Sequence, residues 1–413
     1  MGTDPTGVSF LSYRRSRLDE ARLLIQAQHD LGIPTWQDLE DLPTGQAETE
    51  IRAALDDPGT ANGLLWLTPE VEQSAMIRQV EAPGLVRRHQ AGDGFFLLPM
   101  PAGGLTYSDA ARVAGPLLDG ANLAQWNLHP VVSDPLTPEE AAEVAARVLR
   151  QRLAVLHARL PAGEPLSVVL DTFDPPPKRS GYALVLDWTR RFDRPRGRGA
   201  DLAVWRRALL PALDQVVRTI VSTAPGREVV AGGKLPLSAA VALGVTFLAQ
   251  RGVPLTWRQH TPAAGEELWA MDAPREPSGF EIALREGAVA GEDLAVLISV
   301  SDDVENAFGR AAAYRTGAPF RGVLAVRRSD PAPHRLNAGQ AADVANTIAG
   351  GLRAARQRYP IIKRVHLFMA VPAGLAVLVG QLLNTFAAVQ TYDFVASEPD
   401  APYQPAVLLH PSP

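Results

Sequence analysis

Short apolar runs of strand-forming residues alternate with helical stretches along the 413-residue chain, and that alternation limits the fold more than any single motif. In the first half, Val8-Ser-Phe-Leu-Ser-Tyr13, Ile33–Trp36, Gly63-Leu-Leu-Trp-Leu67 and Gly94–Pro99 read as four strands. Between them, helical patterns run from an N-cap at Ser16 to about Leu31, over Glu48–Leu55, and within Gln73–His89, where Pro83 is expected to break the helix. Leu39–Gly45 is a polar loop. A long helix over Thr137–Leu160 opens with the capping box Thr137-Pro-Glu-Glu140. Strands separated by helices predict a parallel, doubly wound sheet.

The second half follows the same grammar after a linker, Pro161-Ala-Gly-Glu-Pro165, which suggests domains over residues 1–160 and 161–413. Strands are expected at Leu166–Leu170, Glu228–Ala231, Pro254–Trp257, Leu294–Val300, Gly322–Val326, Arg364–Ala370 and Val389–Phe394, the last ending the sheet. Helices are expected at Leu202–Val221, Ala239–Gln250, from Asp303 to about Tyr314, Ala338–Arg358 and Leu375–Phe386. Two successive α/β units thus each carry a strand, a small-residue loop and an apolar helix, but their sequences differ too much to establish a repeat.

Composition narrows the functions. Apolar residues make up 46% and charged residues 21%, enough for buried cores. The net charge is −5 with no long basic run, which disfavours duplex nucleic acid as a partner. No cysteine is present, so disulfides, thiolate catalysis and cysteine zinc sites are excluded. The eight histidines show no HExxH or HxH spacing, so no metal site is expected. The start of the chain lacks an apolar signal core, and the longest apolar stretch, Leu367–Leu383, falls short of the roughly 20 residues that span a bilayer. A cytoplasmic protein without membrane contact is the expectation. Only three lysines occur, Lys178, Lys234 and Lys363, so each stands out against a default of arginine.

Sites in such sheets lie beyond the carboxyl ends of the strands. In the first half this edge gathers Ser12-Tyr13-Arg14-Arg15, Asp38–Gly45 and Ser74–Glu81. No GxGxxG follows a strand and no GxxxxGK[ST] occurs, which counts against a dinucleotide or P-loop fold. Phe10-Leu-Ser-Tyr-Arg14, Trp36-Gln-Asp38, a loop ending at Gly45, and an apolar strand followed by Thr68-Pro-Glu70 and Ser74…Glu81 together resemble a TIR domain, over roughly residues 5–155. The resemblance implies a flavodoxin-like parallel sheet and NAD⁺ cleavage, with Glu81 as the catalytic residue. The Ser74–Glu81 spacing is one residue longer than in typical relatives, and Met76-Ile77 departs from the usual pattern, so Glu70 and Glu72 stand as alternatives. Ser12, Tyr13, Arg14, Trp36, Asp38, Gly45 and Ser74 are the implied NAD⁺-binding positions. Read as residues alone, Arg14 and Arg15 suit either phosphate contact or the surface, Trp36 either core or stacking, and Asp38 either the cleft or a turn.

In the second half, Gly232-Gly-Lys234 follows a strand and precedes a helix, where backbone N–H groups can approach a phosphate. Ala231–Gly244, Ile298-Ser-Val-Ser301, His366–Gly380 and Val389-Gln-Thr-Tyr392 together resemble the SAVED domain, two fused CARF-like Rossmann units, over about residues 160–410. That family binds cyclic oligonucleotides, often trinucleotides, made by a partner cyclase. The resemblance implies contacts from Gly232, Gly233, Lys234, Leu235, Ser238, Ser301, Pro372, Ala373 and Tyr392. A tight turn at Gly232-Gly233, a surface Lys234, and core roles for His366 and Tyr392 are the plainer readings.

The joint resemblance is to the TIR–SAVED effectors of bacterial cyclic-oligonucleotide antiviral signalling (CBASS-type). It implies an NAD⁺ hydrolase with no cofactor, switched on by its ligand through head-to-tail self-association of TIR domains. A non-catalytic TIR scaffold gated by the same sensor, and a sensor on some other nucleotide-processing enzyme, are the alternatives.

Overall fold

The computed structural model describes residues 2–36, 47–117, 128–173, 181–192, 199–261, 265–313, 320–331, 333–384, 386 and 388–410. The chain divides into two compact units: Met1–Val169 with Pro176–Asp187 and Arg218–Pro225, and Leu170–Pro175 with Trp188–Val217 and Gly226–Pro413. Among the described residues no helix is long and apolar enough to cross a membrane.

The first unit runs β1 (Val8–Ser12), α1 (Leu18–Asp30), β2 (Thr35–Trp36), α2 (Ala47–Asp56), β3 (Thr60–Leu67), α3 (Ala82–Gln90), β4 (Phe96–Pro101), α4 (Tyr107–Ala114) and α5 (Pro138–Arg159). The strands form a parallel sheet in the order β2-β1-β3-β4. This is the start of the flavodoxin-like order. All eight residues of β3 are buried, which is why its sequence is continuously apolar around Leu64–Leu67 instead of alternating. Gly63 lets α3 approach: a Cβ there would lie 2.3 Å from the side chain of Leu85.

Helix α5 opens with the expected capping box, Thr137 and Glu140 each accepting from the other's backbone. Ser16 does not cap α1. A 3-10 turn over Arg15–Arg17 precedes the helix, and its N-cap, Arg17, makes no side-chain cap. Arg17 instead pairs with Glu20, Glu70 and Asp134.

Strands β5 (Leu166–Asp171) and β6 (Leu184–Asp187) follow. The predicted helix over Leu202–Val221 is α6 (Leu202–Val204) and α7 (Leu210–Thr223), separated by a π-turn at Trp205–Leu209. The second unit continues with β7 (Val229–Gly232), α8 (Leu237–Thr246), β8 (Leu255–Thr261), β9 (Gly265–Trp269), β10 (Glu281–Glu286), β11 (Asp293–Ser299), α9 (Glu305–Ala313), β12 (Phe320–Arg327), α10 (Ala338–Arg358), β13 (Arg364–Ala370), α11 (Ala373–Gln381), β14 (Val389–Phe394) and β15 (Tyr403–Leu409).

Its six-stranded sheet has the order β10-β12-β11-β13-β14-β15. β14 therefore does not end the sheet, because β15 adds antiparallel beyond it. Pro405 disguised that strand, and it is tolerated at an edge, where a missing donor costs no ladder bond. β9 and β10 were also missed. Glu266-Glu267 and a largely exposed Glu281–Glu286 hide the alternation that marks a half-buried strand.

The geometry establishes a repeat that the sequence left open. β7, α8, β8 and β9 share connection and direction with β13, α11, β14 and β15: the first and third element of each set pair in parallel, and the third and fourth pair antiparallel. Val229 pairs with Leu255, as Val365 pairs with Val389. Pro236 lies seven residues after Val229 and Pro372 seven after Val365, and each proline is the N-cap of its helix. Gly244 and Gly380 each follow eight residues later, where the two helices cross backbone to backbone. A Cβ on Gly244 would stand 2.1 Å from the Val377 carbonyl, and one on Gly380 would stand 2.5 Å from that of Val241.

Candidate functional site

In the first unit, β1 delivers Ser12 to the carboxyl edge of the sheet, and the segment after β3 delivers Glu81 beside it. After a 3-10 turn over Pro69–Gln73, the Ser74 hydroxyl accepts from the Ile77 N–H at 3.3 Å. Ile77–Glu81 is a π-turn, closed by the N–H of Ala82 on the Ile77 carbonyl. Pro83 comes next. It lacks a donor and its ring crowds the carbonyl four residues back, so a widened turn just before it relieves the clash. The predicted break near Pro83 is thus a bulge, and α3 continues with Pro83 in its first turn. A π-turn takes up one residue more than a regular helical turn, and so changes the face on which Glu81 emerges.

Glu81 is 8% exposed, and the Ser12 hydroxyl donates to its Oε2 at 2.5 Å. Phe10, Leu11, Tyr13, Trp36, Ile51 and Glu81 line a recess of about 10 Å³, room for one water. Trp36 stacks on Phe10 with ring centroids 5.0 Å apart, joining the core while it walls the recess. Arg14 is half-buried with its Nε unpaired, and Arg15 is exposed. Ser74 serves the turn and is not among the lining residues. Asp38 and the whole of the Leu39–Gly45 loop lie outside the described residues. The alternative carboxylates are committed elsewhere, Glu70 to Arg17 at 3.2 Å and Glu72 to Arg112 at 2.7 Å. Of the three, Glu81 alone lines the recess.

In the second unit, Gly233 adopts φ +140°, and a Cβ there would lie 2.0 Å from the Leu170 carbonyl, so this loop requires glycine. The Lys234 N–H donates to Asp171 Oδ1 at 2.8 Å, and its carbonyl accepts from the Thr172 N–H at 3.0 Å. The backbone of Lys234 is pinned while its side chain is exposed. Leu235 is buried. Ser301 is exposed just past β11, its N–H bound to the Ala370 carbonyl at 2.8 Å. Pro372 and Ala373, half-buried, open α11. Tyr392 is tied inward, stacked on Phe368 at 4.3 Å with its hydroxyl 2.9 Å from Nδ1 of the buried His366. The other nitrogen of His366 lies 3.1 Å from Asp293. His366 is buried, as the plainer reading had it, while Tyr392 is half-buried and packs on the edge of that cluster.

Sequence reasoning passed over two residues that close the helix starts. The Ser238 N–H and hydroxyl donate to the carboxylate of Asp393 on β14, at 3.3 and 2.9 Å. The Gly374 N–H donates to Oε1 of Gln259 on β8, at 3.0 Å, and Trp257 Nε1 donates to the same oxygen at 3.2 Å. Ser238 and Gly374 occupy the same place in the repeat, two residues after Pro236 and Pro372, and Gln259 and Asp393 each lie four residues after the paired Leu255 and Val389. Each half therefore caps the helix of the other. Burial pushes the Asp393 carboxyl above its usual range, against the opposing pull of its bonds from Ser238. The signal was available in the twice-occurring spacing of proline, glycine and strand.

Residues 212–409 match the family model of the SAVED domain, the SMODS-associated sensor domain fused to various effectors. Two solved structures similar to this chain are the Acinetobacter baumannii Cap4 SAVED/CARF-domain receptor with the cyclic trinucleotide 3′3′3′-cAAA and the same receptor with 2′3′3′-cAAA. Each is 13% identical and covers 95% of this chain and 98% of its own, with TM-scores of 0.51 and 0.50. At that identity the likeness is one of fold. No curated protein matches the chain. The C-terminal part of this protein has a SAVED/CARF-like fold.

Proposed function

We propose that the chain is a cyclic-oligonucleotide-activated NAD⁺ glycohydrolase, a TIR domain followed by a SAVED sensor, that depletes NAD⁺ in antiphage defence. The observation that carries the catalytic half is Glu81: a buried carboxylate, oriented by Ser12, at the carboxyl edge of a 2-1-3-4 parallel sheet. Breaking the nicotinamide–ribose bond sends the bonding electron pair to nicotinamide and leaves positive charge on the ribose. A fixed carboxylate stabilises that charge. Water then bonds to the anomeric carbon and loses a proton, giving ADP-ribose. Nicotinamide leaves readily, so one carboxylate suffices.

The sensing half rests on the SAVED match over 212–409 and on two pseudo-equivalent helix starts. A cyclic trinucleotide is the activator that the fold likeness favours, and ligand-driven head-to-tail association of TIR domains is the proposed switch, since a ligand acts only through unequal affinity for two states. The test is nicotinamide release by purified protein, with and without each cyclic triadenylate, beside Glu81→Gln. We expect ligand-dependent release, lost by at least ~10²-fold in the variant. Release unchanged in Glu81→Gln removes the assignment. Ligand binding with no release from the wild type favours the non-catalytic scaffold.

A further inference from the structure

Among the described residues, six strands stand at the edges of the three sheets: β2, β4, β6, β9, β10 and β15. A sheet edge offers unpaired backbone N–H and C=O groups that another strand can take up. Five of these edges are closed by their own residues. β2 has only two residues. β4 carries Pro99 and Pro101, and β15 carries Pro405, each without a donor. β6 is four residues long, three of them buried. β9 carries the adjacent acids Glu266 and Glu267, which would repel their counterparts on a copy of the strand.

β10 has none of these devices. It is six residues long, holds no proline, and exposes five of its residues. Its ladder with β12 occupies one side and leaves the other without a strand. Its sequence is Glu281-Ile-Ala-Leu-Arg-Glu286. Two copies laid antiparallel about Ala283 put Glu281 of each against Arg285 of the other, and Ile282 against Leu284. Side chains alternate along a strand, so Glu281 and Arg285 share one face of the sheet, and Ile282 and Leu284 share the opposite face. The neighbours within the chain agree. Arg285 reaches Glu305 of α9 at 3.1 Å, whereas a Cβ on Gly351 of α10 would stand 3.2 Å from Ile282. The pairing therefore joins opposite charges on the α9 side and aliphatic side chains on the α10 side. Charged residues commonly blunt an edge. Here the order of signs is self-complementary, so residues that deter other strands accept a copy of their own.

We propose that β10 is the docking edge for a second copy of this chain, paired antiparallel across a two-fold axis at Ala283 so that two sheets become one. Such a contact is isologous and closes as a dimer. It is separate from the head-to-tail association of TIR domains and does not depend on it. One short strand buries little beside a standard interface, so the dimer is weak and transient.

Sedimentation of the full chain without ligand tests it, at about 10 to 500 µM, the range where so small an interface is populated. The wild type passes from monomer to dimer across that range. Glu281→Lys alone and Arg285→Glu alone each set like charges against one another in both pairs, and each weakens the dimer by at least about tenfold. An equimolar mixture of the two variants recovers it, because both pairs then join opposite charges. A monomer throughout, a dimer that both single variants leave unchanged, or a mixture that does not recover overturns the inference. Should a variant fold poorly by circular dichroism, amide exchange in the wild type decides: β10 amides that slow as concentration rises support the pairing, and amides that do not overturn it.

Discussion

The hydroxyl of Ser12, the last residue of β1, donates to Oε2 of Glu81 at 2.5 Å, linking a strand end to a π-turn 69 residues away. The resemblance implies a contact from Ser12 to NAD⁺, and the bond to Glu81 gives it a further role under the proposed function, holding the carboxylate in place.

Ser12→Ala removes that bond and leaves the carboxylate in place. Rotational freedom of a catalytic group lowers the chemical step more than substrate affinity. We expect kcat for nicotinamide release to fall by about tenfold, the worth of one such bond, with KM changed little. A rise in KM at constant kcat would show that Ser12 binds substrate directly.

Lys234 has a pinned backbone and an exposed side chain, so the proposed role of its ammonium in sensing can be tested without disturbing the loop. Lys234→Ala should weaken cyclic triadenylate binding by roughly 1–3 kcal/mol, the range for a charge-assisted hydrogen bond. The fold should be unaffected, because the backbone bonds to Asp171 and Thr172 remain. Calorimetry reads the affinity, and an unchanged value makes Lys234 an ordinary surface cation.

Gly380→Ala tests the crossing of α8 and α11. Alanine favours a helix interior over glycine by about 1 kcal/mol. Here its Cβ would meet the Val241 carbonyl at 2.5 Å, a backbone atom that cannot swing aside. The clash wins, and overpacking of this kind costs about 1–3 kcal/mol. The urea midpoint of the second unit should fall, and a rise would mean that the helices are not in backbone contact.

Glu140 tests the cap of α5. Burial pushes its carboxyl up, but bonds from Ser133, Val132 and Thr137 outweigh that and bring it down to about 2 from an ordinary 4.5. A lowered folded-state value adds stability that is present above the ordinary value and lost as pH falls through the folded one. Glu140→Gln should therefore cost about 1 kcal/mol near neutrality, the usual worth of a cap. The gap to wild type should close between pH 4.5 and about 2. Denaturation curves at several pH values decide it, and a gap that persists at the lowest pH would assign the effect to packing.

What the sequence determined by itself was periodicity and chemistry in order along the chain. Alternating strands and helices specified α/β sheets, the capping box specified the start of α5, and the resemblance at Phe10–Arg14 and Ser74–Glu81 named Glu81 as the candidate carboxylate of the proposed function. These are local signals, carried by residues a few positions apart. Tertiary structure alone decided which distant groups meet. Ser12 is bound to Glu81 because β1 and β3 are neighbours in the sheet and the π-turn at Ile77–Glu81 ends beside the strand edge, where Glu81 lines the recess. Ser238, read as a ligand donor, was already held by Asp393, 155 residues on. That contact, its neutral counterpart at Gln259 and Gly374, and the crossing at Gly244 and Gly380 follow from the repeat. A repeat is written in spacing and pairing register, which survive when residue identity does not, because backbone geometry constrains where a proline or glycine must stand far more tightly than which aliphatic side chain fills the core between them.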